Sequence, residues 1–164
     1  MIGESLPPAA RLAVLGHAAS LPTSEAIWSL HGVTSNERYV LNEEKTILSA
    51  KQEGLGRPES SRAALIPIRK HAEWWALAQD ARRQVFEEQS HHVALGLHVL
   101  PAVARRLHHC RDIGTQEPFD FLTWFEYAQS DAALFEELVK TMRATPEWHY
   151  VEREVDIRLV RDDR

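Results

Sequence analysis

The segment FDFLTWFEY, residues 119–127, alternates between two kinds of side chain almost without interruption. Its odd-numbered residues are three phenylalanines, a threonine and a tyrosine. They share one face of an extended chain, because successive side chains of a strand point to opposite sides. This period of two predicts a β-strand with one face turned toward a core.

The segment RRLHHCR, residues 105–111, precedes this strand and is separated from it by a turn around Gly114. Two extended segments joined by a short connection pair as an antiparallel hairpin. In such a hairpin Arg105 and Leu107, two positions apart, point to the same face. We therefore expect the hairpin to carry a cation and an apolar side chain side by side.

Working outward from this hairpin, the rest of the chain divides into further strands and helices. The predicted elements are strand 25–34, helix 43–53, strand 64–68, helix 73–104, helix 132–143 and strand 150–160. Their order predicts an α+β fold of the ferredoxin-like type, an antiparallel sheet covered by helices. Residues 1–22 are expected to form an N-terminal helical extension of a single domain, 1–164.

Composition narrows the classes of function. With 164 residues, 44% of them apolar, the chain can bury one good core. The net charge of −5 is spread along the chain, so nucleic-acid binding is not expected. No apolar run has membrane-spanning length and no secretory signal is evident. Cys110 is the only cysteine, and we expect a cytoplasmic protein.

Candidate ligands lie in the stretch HHVALGLHVLPAVARRLHHCRD, residues 91–112, which contains five histidines. His92 falls on the apolar stripe of the predicted helix, and Arg105 follows at the start of the hairpin. If the helix lies across the sheet, a flat ligand fits between the two side chains. Iron in a porphyrin needs a neutral imidazole on one side, an apolar slot, and polar groups on the open side.

Three blocks of this sequence resemble the chlorite dismutase family. They are FEEQSHHVALGLHVLPAVARRLHHCRDIG at 86–114, FDFLTWFEYA at 119–128 and EWHYVEREVDIRL at 147–159. The resemblance extends from about residue 34 to 161 and is closest to the short, dimeric branch. It implies heme b between helix and sheet, a homodimer, and an oxidoreductase that converts chlorite to chloride and dioxygen by O–Cl cleavage and recombination.

The resemblance also implies roles for particular residues. His92 corresponds to the axial ligand of the heme iron and Arg105 to the catalytic distal arginine. Glu147 would bind the far nitrogen of the histidine, with Lys70 beside it. The remaining expected contacts are Asn36, Tyr39 and Trp74 near the heme propionates, with Trp75 competing for the last position, and Gln52, Leu107, Thr123 and Phe125 in the distal pocket, where Gln52 would hydrogen-bond Arg105.

Other interpretations stay open at this point. A histidine on an apolar stripe is often a core residue, and the chain is then a heme-free ferredoxin-like dimer that binds a small molecule or a protein. Another heme enzyme of the same superfamily, a peroxidase or a coproheme decarboxylase, is a second alternative, although the latter branch lacks the distal arginine. Zinc at His108, His109 and Cys110 is disfavoured, since adjacent strand residues diverge.

Overall fold

An antiparallel sheet organises the structure, a computed structural model that describes residues 1–16, 26–34, 39–111, 113 and 117–162. Its strands are β1 (Val33–Thr34), β2 (Arg62–Lys70), β3 (Ala104–His109), β4 (Phe121–Tyr127), β5 (Val151–Glu154) and β6 (Ile157–Val160). Within these ranges the order is β1-β3-β4-β2-β5, and β6 pairs with the first part of β2. All of these pairings are antiparallel.

Helices connect the strands and cover one face of the sheet. They are α1 (Asn42–Lys51), α2 (Ala72–Ala76), α3 (Gln79–Arg83), a π-helical turn (Gln84–Gln89), α4 (His92–His98) and α5 (Ala132–Arg143), with 3₁₀ turns at Gln129–Asp131 and Pro146–Tyr150. Phe135 of α5 is fully buried and packs with Ala64 and Ile66 of β2. The predicted α+β, ferredoxin-like class is confirmed.

The opposite face of the sheet has a core of its own, in which Cys110 and Leu122 are buried. Burial, together with nearby carboxylates, raises the pKa of the Cys110 thiol to about 12. Leu6 and Leu12 of the N-terminal segment pack on this core. The described residues 1–16 contain no helix, so the predicted helical extension 1–22 is wrong over that range.

Pro7 and Pro8 cannot donate the backbone hydrogen bonds of a helix, so they exclude a helix that runs through them from the first residues. The segment gains contact with the sheet instead. Its Ile2 forms a bridge with Glu154, with backbone hydrogen bonds of 3.1 and 2.8 Å. The rest of the predicted extension, 17–22, lies outside the described residues.

The hairpin β3–β4 has the predicted geometry. Arg105 lies opposite Phe125, and Leu107 lies opposite Thr123. These four side chains therefore belong to one face, as the spacing of two indicated. Phe119 is the exception among the alternating residues, since it precedes β4 and packs with the core on the other face.

The long helix predicted at 73–104 is wrong as a single element. It is divided into α2, α3, the π-helical turn and α4. His91 adopts a left-handed backbone conformation, with φ of 52°, which ends one helical segment and starts the next. The break directs α4 across the sheet and places His92 at its first position.

The predicted first and last strands are also shorter than expected. Only Val33–Thr34 of 25–34 is a strand, and residue 25 lies outside the described part. The strand predicted at 150–160 is divided into β5 and β6. Asp156, between them, accepts hydrogen bonds from Arg143 and Arg158, which holds the chain out of the sheet at that point.

No helix in the part of the chain that the structure describes is both long enough and apolar enough to cross a membrane.

Candidate functional site

A cavity lies between the helix-covered face of the sheet and helices α4 and α5. The lining residues are Tyr39, Val40, Ile66, Ile68, Lys70, Trp74, Phe86, His92, Val93, Gly96, Val99, Val103, Arg105, Leu107, His109, Phe121, Thr123, Phe125, Leu138, Val139, Met142, Glu147, Trp148 and Glu154. Most are apolar, which favours a largely apolar ligand held by a few polar groups.

Three polar side chains form a chain beside this cavity, His92 of α4, Glu147 of a 3₁₀ turn and Lys70 at the end of β2. The Nδ1 atom of His92 lies 2.7 Å from Oε2 of Glu147. The Nζ atom of Lys70 donates a hydrogen bond of 2.8 Å to Oε1 of the same carboxylate. When the carboxylate accepts the Nδ1 proton, Nε2 of His92 keeps its lone pair and can bind a metal.

Glu147 is buried, and its surroundings keep it ionised. Its backbone N–H donates to Ser90 Oγ at 2.9 Å, which fixes the 3₁₀ turn that carries it. Burial alone would raise the pKa of Glu147, but His92 and Lys70 together outweigh that effect and hold the pKa at about 2. A buried carboxylate is stable here because both of its oxygens have partners.

We expect this carboxylate to make the protein sensitive to acid. Its folded pKa of about 2 lies below the ordinary value of 4.5, so its contribution to stability is present above pH 4.5 and is lost as the pH falls toward 2. Urea unfolding at a series of pH values measures this loss. Glu147→Gln should lower the free energy of unfolding near neutral pH by about 3–5 kcal/mol, since it breaks a buried pair.

The matched control is Glu137→Gln, on an exposed position of α5. It should leave both the stability and its pH dependence nearly unchanged. The Glu147→Gln variant should show a shallower fall of stability between pH 4.5 and 2 than the unmodified protein. Equal slopes for the two proteins in that interval would contradict the role of Glu147.

The sheet wall carries the second set of predicted residues, on three neighbouring strands. Its rows of paired residues are Arg105–Phe125–Ala64, Leu107–Thr123–Ile66 and His109–Phe121–Ile68. The guanidinium group of Arg105 places a positive charge on this wall. A side chain at Gly96 of α4 would place its Cβ 4.0 Å from Arg105 Nε, so Arg105 reaches toward the helix that carries His92.

One end of the cavity is formed by aromatic residues. Tyr39 and Trp74 line it, with their rings edge to face at 5.8 Å between centroids. Trp74 is buried, and its Nε1 has no hydrogen-bond partner among the described residues. Trp75 does not line the cavity and stacks on Phe121 from behind, at 5.9 Å. Of the two competing tryptophans, Trp74 is therefore the one placed to contact a ligand.

Asn36 lies outside the described residues. The Nε2 atom of Gln52 donates to the backbone carbonyl of Arg105, at 2.8 Å. Gln52 is not among the residues that line the cavity, and its place in the distal pocket stays a prediction.

Several cavity residues were not identified from the sequence. Phe86 stacks on the imidazole of His92, at 4.2 Å between ring centroids. His109 and Phe121 line the cavity and meet edge to face at 5.3 Å. The period of two that grouped Leu107 with Arg105 also points to His109 and Phe121. No comparable signal marks Phe86, because it lies in the π-helical turn before the backbone break.

The three residues considered as an alternative zinc site, His108, His109 and Cys110, point in different directions. His109 faces the cavity, whereas Cys110 belongs to the core on the other face of the sheet. His108 lies at the edge, with Nδ1 3.3 Å from Thr34 Oγ1. Among the described residues, no three histidine, cysteine or acidic side chains come together in a way that could hold a metal ion.

Comparison with known proteins identifies the family. A family model described as chlorite dismutase matches residues 12–161, which is most of the chain. The chain belongs to the chlorite dismutase family. A curated relative, the chlorite dismutase of Ideonella dechloratans, is 28% identical over 129 residues. That alignment covers 77% of this chain but only 42% of the relative, so this chain corresponds to less than half of the longer protein.

Solved structures of chlorite dismutases have the same fold. A dimeric chlorite dismutase from Nitrobacter winogradskyi is 60% identical, with a TM-score of 0.88, and the match covers 98% of this chain and 89% of that one. The enzyme from Candidatus Nitrospira defluvii, in complex with imidazole, is 32% identical with a TM-score of 0.61. That match covers 76% of this chain and 49% of the other. The family predicted from the sequence is confirmed.

Proposed function

We propose that this chain binds heme b in the cavity and converts chlorite to chloride and dioxygen. The observation that carries the proposal is that His92 and Arg105 line one cavity, from the helix wall and from the sheet wall. Membership of the chlorite dismutase family supports the same conclusion. The substrate is a small anion, for which the guanidinium group of Arg105 is the matching cation.

The residues present fit heme. A porphyrin needs apolar surroundings, and Val93 of α4, Leu107 of β3 and Phe125 of β4 supply them in the cavity. Gly96 leaves the helix wall without a side chain one turn after His92. Trp74 Nε1 is a buried donor without an acceptor, which suits a ligand that carries carboxylates. His92 would hold the iron through Nε2, and Tyr39 and Trp74 would lie near the propionates.

Heme iron, when bound, supplies a centre at which bonds to oxygen are broken and formed. The chain tunes that centre through His92, whose Nδ1 proton is shared with the Glu147 carboxylate. This bond gives the imidazole partial imidazolate character and makes it a stronger electron donor. Lys70 balances the negative charge of Glu147, because an uncompensated buried carboxylate would be costly.

Arg105 acts on the substrate side. Its planar fork of N–H donors stays charged at all working pH values, so it can hold chlorite and then the chlorine oxyanion that is left by O–Cl cleavage. Leu107, Thr123 and Phe125 enclose the same space on the sheet wall. Retention matters because the O–O bond forms only if the oxyanion stays beside the oxygen that it has just lost.

Oxygen evolution tests the proposed activity. Heme b is titrated into the purified protein, the Soret band is recorded, and chlorite is added in an oxygen electrode. We expect one molecule of dioxygen and one chloride for each chlorite consumed. Heme binding without oxygen release would refute the chlorite activity and favour another heme enzyme. Absence of a Soret band would favour the heme-free binding protein.

We also propose that the protein is a homodimer in the cytoplasm. The dimeric state is supported by the relative from Nitrobacter winogradskyi, which is described as dimeric and covers almost the whole chain. The cytoplasmic location stays a prediction, for which the support is the single, buried cysteine. Light scattering of the heme-loaded protein measures the oligomeric state directly.

A further inference from the structure

Arg82 of α3 donates three hydrogen bonds to residues at one end of the cavity. Its Nε donates to the backbone carbonyl of Trp74 at 3.0 Å, and its Nη2 donates to that of Trp75 at 2.6 Å. Its Nη1 donates to the phenolic oxygen of Tyr39 at 3.3 Å. All three nitrogens of the guanidinium group are therefore used, although Arg82 is not among the residues that line the cavity.

The backbone of Tyr39 shows that this arrangement is held in place. Tyr39 has φ of 66°, in the left-handed region that a residue with a large side chain rarely adopts. The neighbouring Arg83 donates to the backbone carbonyl of Tyr39 and forms a two-point ion pair with Glu44, at 2.7 and 2.6 Å. Arg82 thus binds the hydroxyl of Tyr39, and Arg83 binds its backbone carbonyl.

The hydrogen bond from Arg82 determines where the Tyr39 hydroxyl can donate. Because the phenolic oxygen accepts from Nη1, its own proton must point elsewhere. Next to it, Trp74 Nε1 is a buried donor without an acceptor among the described residues. Two donors and one cation therefore meet at one end of a cavity whose other walls are largely apolar. A carboxylate is the ligand group that can accept from both donors, and the positive charge of Arg82 behind them favours it.

We propose that Arg82 is a positioning residue that orients the Tyr39 hydroxyl and anchors Trp74, so that these two donors bind a carboxylate of the ligand at this end of the cavity. The inference rests on the proposed function, in which that carboxylate is a heme propionate. Arg82 acts through its neighbours. Its removal changes how firmly the carboxylate end is held and leaves the contact between His92 and the iron in place.

The rate of heme release tests this role without reference to activity. Holoprotein is mixed with excess apomyoglobin and transfer of the porphyrin is followed by absorbance, for heme b and for its dimethyl ester, in which the carboxylates are blocked. Arg82→Met should release heme b about tenfold faster than the unmodified protein, the loss expected for a weakened charge-assisted contact. Release of the dimethyl ester should be the same from both proteins.

Two further variants test whether faster heme release comes from the contact between Arg82 and Tyr39. Tyr39→Phe removes one oxygen atom and should accelerate release of heme b alone, and adding it to Arg82→Met should bring little further change, because the two act on one contact. Arg69→Met, at an exposed position that pairs with Glu152, is the matched control and should match the unmodified protein. Tyr39→Phe also keeps the test valid if Arg82→Met folds poorly.

Each other result overturns the inference. Equal acceleration for heme b and for its dimethyl ester would mean that Arg82 only supports the shape of the cavity. An unchanged rate of heme b release from both Arg82→Met and Tyr39→Phe would refute the proposed positioning role of Arg82. If the unmodified protein binds neither porphyrin, the proposed function fails first, and that result is seen before any variant is compared.

Discussion

Replacing His92 with alanine is expected to weaken heme binding by more than about a hundredfold, since even loss of a residue that only supports a metal ligand costs ten- to a hundredfold. The physical reason is that His92 offers the cavity an imidazole whose Nδ1 is already bound to Glu147. Without it, the iron has no nitrogen ligand from the helix wall. Titration of heme b, followed by the Soret band, measures the affinity.

Two controls separate ligation from packing. His98→Ala, at an exposed position of the same helix, should bind heme like the unmodified protein. Added imidazole should restore part of the affinity and the ferric spectrum of His92→Ala, because the small molecule can fill the space and bind the iron. A normal ferric heme spectrum in His92→Ala without imidazole would refute the assignment of His92.

Replacing Arg105 with alanine should lower kcat/KM for chlorite about tenfold to a hundredfold. This range corresponds to the 1.5–3 kcal/mol that a hydrogen bond to a charged group typically contributes. The number of turnovers before the heme bleaches should also fall, because the chlorine oxyanion leaves the pocket more often. The oxygen electrode gives the rate and the yield, and the decay of the Soret band gives the bleaching.

The matched control for this experiment is the next residue along the strand. Arg106 is exposed and points to the other face of β3, so Arg106→Ala should leave both the rate and the yield unchanged. Arg105→Lys keeps a cation without the planar fork and should fall between alanine and the unmodified protein. An oxygen yield and a rate that do not change in Arg105→Ala would exclude the role of Arg105.

The hairpin β3–β4 was predictable because its information is local. Side chains alternate with a period of two, and strands that follow one another in sequence usually pair with each other. The register places Arg105 beside Leu107, and Thr123 beside Phe125, as the spacing indicated. The same rule, extended by two positions, would have added His109 and Phe121 to the predicted wall.

The helix wall was less predictable because its geometry depends on backbone breaks and on distant contacts. Apolar spacing suggested one helix through His92, whereas the left-handed backbone at His91 divides it. The burial of Glu147 and Lys70 has no signature in composition, since charged residues are mostly exposed. Only the resemblance to the family placed these two side chains beside His92.

The most direct test of the proposed site is a crystal structure of the heme-loaded protein. We expect the porphyrin between α4 and the β3–β4 hairpin, with the iron bound by His92 Nε2 and with Arg105 on the opposite face of the ring. A heme bound elsewhere, or one that leaves His92 and Arg105 on the same side, would contradict the site described above.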